Sequence, residues 1–151
     1  MRLWAIAAAA AATFACCGPA AAQFKNADAA IEYRQGALVV MDNHYDRIGA
    51  MVKGKAPFDA AIAQANADLV VTLARLPWSA FVEGSDKGET GARPEIWSQR
   101  EKFNADAQKL QDATIKLLEA ANTGKPDALK AAFGPAAQAC KSCHDDFRKK
   151  H

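Results

Sequence analysis

The chain has 151 residues, with 19 basic and 17 acidic side chains and a formal net charge of +2 at pH 7. That balance excludes a partner held by bulk charge, so neither nucleic acid nor a membrane surface is indicated. The length suits one domain with a real core and is too short for two.

The opening stretch, MRLWAIAAAAAATFACCGPAAAQ, reads as an export leader. Arg2 supplies the basic start, Leu3 to Ala15 the apolar run, and Ala20, Ala21 and Ala22 the small residues that a peptidase accepts. Residues 1–22 are therefore expected to be removed, leaving 23–151 as the domain. The apolar run is too short to cross a bilayer, and no later run of about 18 apolar residues follows, so no membrane span is expected. Cys16 and Cys17 raise lipidation as an alternative, although Thr-Phe-Ala before Cys16 fits a lipoprotein signal poorly. On either reading the domain keeps Cys140 and Cys143.

Four helical stripes follow. In the first, Ile31, Arg34, Leu38, Met41, Tyr45, Ile48 and Val52 recur at spacings of three and four, and Gly54 to Pro57 ends the segment. The second carries Phe58, Ile62, Ala65, Leu69, Leu73 and Leu76 on its expected inner face and stops at Pro77. A polar loop with three glycines, Trp78 to Arg93, is long enough to suggest a function. Pro94 opens the third helix, with Ile96, Phe103, Ala107, Leu110, Thr114, Leu117 and Ala121 facing inward until Gly124. Pro126 opens the fourth, with Leu129, Phe133, Ala136, Cys140, Cys143 and Phe147 on one face and an interruption expected at Gly134-Pro135. No alternating strand pattern occurs. The fold class is all-α, and the short connections favour an antiparallel four-helix bundle over an irregular helical domain.

The chemistry sits in the fourth helix, where Cys140, Cys143 and His144 are three and four residues apart and share one side. Cys-Lys-Ser-Cys-His is the attachment signature of a c-type haem, two thioethers and one imidazole ligand to iron. The same residues admit three other readings. A disulfide here would close a two-residue loop and stabilise little. A structural zinc would need a fourth ligand from His44 or from the terminal His151. A thioredoxin-like pair opens a helix, whereas this pair lies late in one, where the negative helix end disfavours thiolate.

Arg34 is out of place on an inward stripe. Either it snorkels to solvent from the stripe edge, or a haem propionate answers its charge, with Gln35 beside it as a further donor. Leu38, one turn on, cannot ligate iron. Trp78 and Phe81 are candidates for the same cavity or for plain core. Met41 and Met51 are the methionines that could complete a six-coordinate iron, and both read equally as core filling.

Tyr33-Arg34-Gln35 with Leu38, Leu76-Pro77-Trp78, Arg93-Pro94-Glu95-Ile96-Trp97 and the C-terminal Cys-x-x-Cys-His resemble cytochrome c′, the high-spin class II c-type cytochromes of Gram-negative bacteria. The resemblance spans residues 23–151 and implies a periplasmic homodimer of left-handed, up-down-up-down bundles with one haem c. It implies His144 as axial ligand, Cys140 and Cys143 as thioether anchors, Arg34 and Gln35 as propionate or pocket contacts, and Leu38 as a cap over the open axial position. It also places Arg148 beside the proximal face, where the residue-level alternative is a solvated cation at the helix end. Thr90 and Gly91 are carried as contacts to the haem edge. An apolar cap implies nitric oxide and carbon monoxide as ligands and no catalytic role. The alternative is a low-spin, methionine-ligated electron carrier, with Lys141, Lys149 and Lys150 docking an unidentified periplasmic redox partner.

Overall fold

The computed structural model describes residues 23–150; the expected leader, residues 1–22, and His151 lie outside them. Four long helices make the bundle. α1 (Ala27–Val52) starts at Asn26, whose side chain accepts the Ala29 N–H at 2.8 Å. It stops because Gly54 takes a φ of +68°, letting its N–H reach the Met51 carbonyl at 3.1 Å. α2 (Ala60–Leu73) is capped by Asp59, which accepts from the Ile62 N–H at 2.9 Å. A 3-10 turn, Pro77–Ala80, and a short helix α3 (Glu95–Ser98) flank the long loop. α4 (Arg100–Asn122) and α5 (Pro126–Phe147) complete the set, separated by Gly124 with φ +66°.

α1 packs along α2, α2 along α4 and α4 along α5, so chain neighbours are spatial neighbours, as short connections require. α1 and α5 touch much less. Among the described residues there is no strand, only an antiparallel bridge between Ala92 and Arg148. The all-α four-helix bundle expected from the stripes is the architecture found.

Three expectations are corrected. The third helix does not run unbroken from Pro94: Gln99, at φ −120° and ψ 45°, separates α3 from α4. Pro135 does not interrupt α5, since one missing N–H removes one helical bond and the turns around it hold. The third correction is larger. The stripe assigned to the inside of α2 lies largely outside, with Ile62 52%, Leu69 42% and Leu76 39% exposed. The inner face is instead Ala63, Asn66, Ala67, Val70 and, at the C-cap, Ala74. α2 has two apolar stripes, and the one with small side chains lets its backbone approach both α1 and α4.

The core divides in two. A larger cluster joins Met41, Ile48, Val70, Leu110, Leu117, Leu129 and Phe133, with Leu38, Tyr45, Met51 and Cys140 packed against it. A smaller aromatic one joins Ala92, Ile96, Phe103 and Phe147, with Phe81, Trp97 and Cys143 against it. Trp78 touches both.

Candidate functional site

The two cysteines straddle the seam between the clusters, Cys140 on the larger and Cys143 on the aromatic one. No disulfide joins them. Burial raises both thiols, Cys143 to about 11 with Asp106 adding to the effect. Both are therefore protonated at neutral pH, which disfavours the thiolate chemistry of a redox pair. His144 is exposed overall. The part of its ring that is packed, followed by the charge of Arg148, nevertheless holds its imidazole below the ordinary value. A neutral imidazole is the form that ligates iron.

Across the sparsely packed α1–α5 side, α1 presents Leu38, Met41 and Tyr45 to the cluster that Cys140 joins. Tyr45 stacks on Phe133 with ring centroids 4.4 Å apart and donates its hydroxyl to the Phe133 carbonyl at 2.6 Å. Gly49 is needed there, because a Cβ at that position would lie 2.9 Å from Cζ of Phe133. Trp78 is similarly committed, its Nε1–H donating to the Ala74 carbonyl at 2.6 Å. Phe81 lies 4.8 Å from Phe103, edge to face, and Phe103 lies 5.4 Å from Phe147. Trp78 thus lies at the seam and Phe81 on its aromatic side, and both also serve as core. Two apolar walls, two thiols on one helix face and an adjacent neutral imidazole fit a flat apolar macrocycle with covalent anchors.

Arg34, expected as a propionate or pocket contact, is held by the long loop. It is 2% exposed and does not snorkel. Its Nη1 donates to the Ala80 carbonyl at 3.0 Å and to Ser85 Oγ at 2.6 Å. Its Nη2 donates to the Ser85 carbonyl at 2.6 Å and to Thr90 Oγ1 at 2.8 Å. The guanidinium also lies over the Phe81 ring, 4.4 Å from its centroid. Burial lowers its pKa to about 10, so it stays charged at neutral pH. Gln35 joins the same loop, donating to the Glu89 carbonyl at 2.9 Å. Both side chains hold the loop to α1.

Thr90 and Gly91 meet the C-terminal tail. The Lys149 N–H donates to the Gly91 carbonyl at 2.8 Å and Lys149 Nζ to the Thr90 carbonyl at 3.0 Å. Arg148 is exposed and extended, the first residue past α5, so it leaves the helix on which its spacing from His144 was counted. Sequence reasoning missed Ser85, which is fully buried under Arg34. It also missed Asp42, whose charge acts on both Cys140 and His144. The position of Asp42, one turn after Leu38, could have flagged it.

Residues 29–148 match the family described as Cytochrome C'. The chain is 48% identical over 129 residues to cytochrome c′ of Rubrivivax gelatinosus, covering 85% of this chain and 100% of that one. The crystal structure of that relative matches with a TM-score of 0.81, over 84% of this chain and 100% of the other. Cytochrome c′ of Alcaligenes xylosoxydans xylosoxydans is 47% identical over 128 residues, 85% of this chain and 99% of that protein. Structures of point variants from Alcaligenes xylosoxidans match at 45% identity over 85% of this chain and 100% of theirs. One is a nitric oxide complex with a TM-score of 0.81, and another has carbon monoxide bound with a TM-score of 0.80. With the family match spanning residues 29–148 and relatives of this identity covered almost in full, the chain belongs to the cytochrome c′ family.

Proposed function

We propose that the chain is an exported periplasmic protein, residues 1–22 a cleaved leader and 23–151 the domain, that binds small neutral gases at a five-coordinate, high-spin haem iron. Haem c is the covalent cofactor of this family, and it supplies a one-electron redox couple and one open axial position. Cys140 and Cys143 hold it through thioethers, and His144 is the axial ligand. Leu38 carries the reading: a half-buried apolar side chain on α1, packed against the cluster that Cys140 joins, it can supply neither a ligand nor a proton donor. The polar groups near it are already engaged, Tyr45 with the Phe133 carbonyl and Trp78 with that of Ala74. A leucine offers bound dioxygen no hydrogen bond and supplies no acid or base of its own, so the role is binding. Nitric oxide and carbon monoxide need no such donor, and both are bound by variants of a relative.

The test is an absorption and spin-state spectrum of the purified protein with and without nitric oxide. A high-spin, five-coordinate spectrum that changes on adding nitric oxide is expected. A low-spin spectrum with methionine ligation, from Met41 or Met51, would establish the electron carrier instead. The basic docking patch for that carrier is reduced in the structure, since Lys141 pairs with Asp145 and Lys149 with the loop.

The protein acts as a homodimer on this reading, and the outward stripe of α2 supports it. Ile62, Leu69 and Leu76 are joined on α1 by Tyr33, Val39 and Val40, the last two 60% and 46% exposed. Gly36 lies on the same side of α1 with nothing within 4 Å of where its Cβ would be. A mid-helix glycine costs about 0.5–1 kcal/mol relative to alanine, so close approach by another helix is a reason to keep it. Replacing Ile62 with Glu is expected to halve the mass found by sedimentation equilibrium while leaving the helical signal intact. An unchanged dimer would remove this face from the assembly.

A further inference from the structure

Two carboxylates stand in costly positions beside the attachment motif, and both meet one lysine. Asp106 lies on the inner stripe of α4 between Phe103 and Leu110 and is 5% exposed. Asp146 lies in the last turn of α5, where the negative helix end disfavours an acid. Lys102, one turn before Asp106, donates its Nζ to Asp146 Oδ2 and stands 3.7 Å from Asp106 Oδ2. The same ammonium lies over the Phe147 ring, 4.9 Å from its centroid. Lys109 closes the other side of Asp106, donating to Oδ1 at 2.8 Å. Asp145, by contrast, is answered within α5 by Lys141.

These contacts bracket the motif from α4. Asp106 lines a groove between the two helices with Ala139 and Ser142, the residues directly before Cys140 and Cys143. Lys102 meets Asp146 and Phe147, just after His144. Phe103, between the two charged residues in the chain, packs in the cluster that Cys143 joins. Burial is the main cause that raises the Cys143 thiol; beyond it Asp106 raises the thiol and Lys102 lowers it, so both charges reach the attachment position with opposite effect.

We infer that Asp106 and Lys102 set the reduction potential of the haem from α4, Asp106 favouring the oxidised iron and Lys102 the reduced iron. This rests on haem attachment at Cys143. Oxidation removes one electron and leaves one more positive charge on the haem, which a nearby carboxylate stabilises and a nearby ammonium destabilises. Neither side chain gains or loses an electron or a proton in the step. The link from Lys102 to Asp146 also ties α4 to the end of α5, but a mechanical tie carries no sign.

The experiment is a spectroelectrochemical titration of the holoprotein with Asp106→Asn, Lys102→Gln and Lys102→Glu. The asparagine keeps the shape of Asp106 and an acceptor for Lys109, and the Lys102 side chain is half-exposed, so its replacement disturbs little packing. Asp106→Asn is expected to raise the potential and Lys102→Gln to lower it, each by about threefold in the one-electron equilibrium constant, about 28 mV at 59 mV per decade. Lys102→Glu is expected to lower it further.

Shifts of one sign in Asp106→Asn and Lys102→Gln, or no shift in either, would overturn the inference and leave the network a structural tie between α4 and α5. If Asp106→Asn fails to take up haem, the two Lys102 variants decide: a graded fall from Lys to Gln to Glu supports the inference, and a constant or rising potential overturns it. A parent protein whose pyridine haemochrome spectrum lacks thioether-bound haem would instead overturn the attachment on which it rests.

Discussion

Replacing Leu38 with Ala is expected to speed carbon monoxide binding to the reduced protein by roughly a hundredfold. Leu38 is half-buried and packs against the cluster that includes Met41, Tyr45 and Cys140. A ligand reaching the open axial position must push that side chain off its neighbours. If displacement forfeits about 3 kcal/mol of packing, near the lower end of measured Leu-to-Ala losses, the barrier falls by about that amount when the side chain is absent. Each 1.4 kcal/mol is about tenfold in rate, which gives about two orders of magnitude. Flash photolysis or stopped flow measures it directly, and Leu38→Ile, which keeps the volume but moves the branch, should fall between. An association rate equal to that of the parent would remove Leu38 from the path of the ligand. Truncation removes the same packing, so a stability loss of about 3 kcal/mol accompanies the faster binding.

The second large effect concerns stability. Phe103 is 2% exposed and sits at the centre of the aromatic run, 5.7 Å from Trp78, 4.8 Å from Phe81 and 5.4 Å from Phe147. All three contacts are edge-to-face, and the three partners come from the loop and from α5, not from the helix of Phe103. Truncation to Ala therefore leaves a cavity that local collapse cannot fill. The expected cost is about 3–5 kcal/mol. At about 4 °C per kcal/mol for a domain of this size, the melting temperature should fall by about 12–20 °C. Phe103→Leu should lose less, because most of the volume remains. A fall below about 4 °C in a circular-dichroism melt would mean that Phe103 does not hold the two parts of the core together.

Part of this chemistry is local and part is not. Cys140, Cys143 and His144 were legible because the reactive groups are three and four residues apart on one helix, and α-helical geometry alone puts them on one side. The helix ends at Gly54, Gly124 and Pro126 were legible for the same reason, since a left-handed residue or a proline stops or starts a helix wherever it occurs. The burial of Arg34 followed from its place in the stripe, but its partners did not. Its acceptors lie 46 to 56 residues away along the chain, in a loop with no periodicity to read. A haem carboxylate was the partner that sequence reasoning could supply; the loop oxygens are partners that only the fold brings to it.

The face of α2 shows the same division. Periodicity identifies an apolar stripe but not which of two stripes turns inward. Here the inward one is Ala63, Ala67, Val70 and Ala74, because small side chains allow two neighbouring helices to come close, leaving Ile62 and Leu69 outside. The sequence by itself determined the helices, their ends and the haem attachment chemistry, all of which depend on residues within a turn of one another. Only the tertiary structure decided which face of α2 is covered, which loop oxygens accept from Arg34 and how the tail after His144 is tied to Gly91 and Ala92. Those choices depend on side-chain size and on hydrogen-bond partners that become neighbours only when the bundle closes.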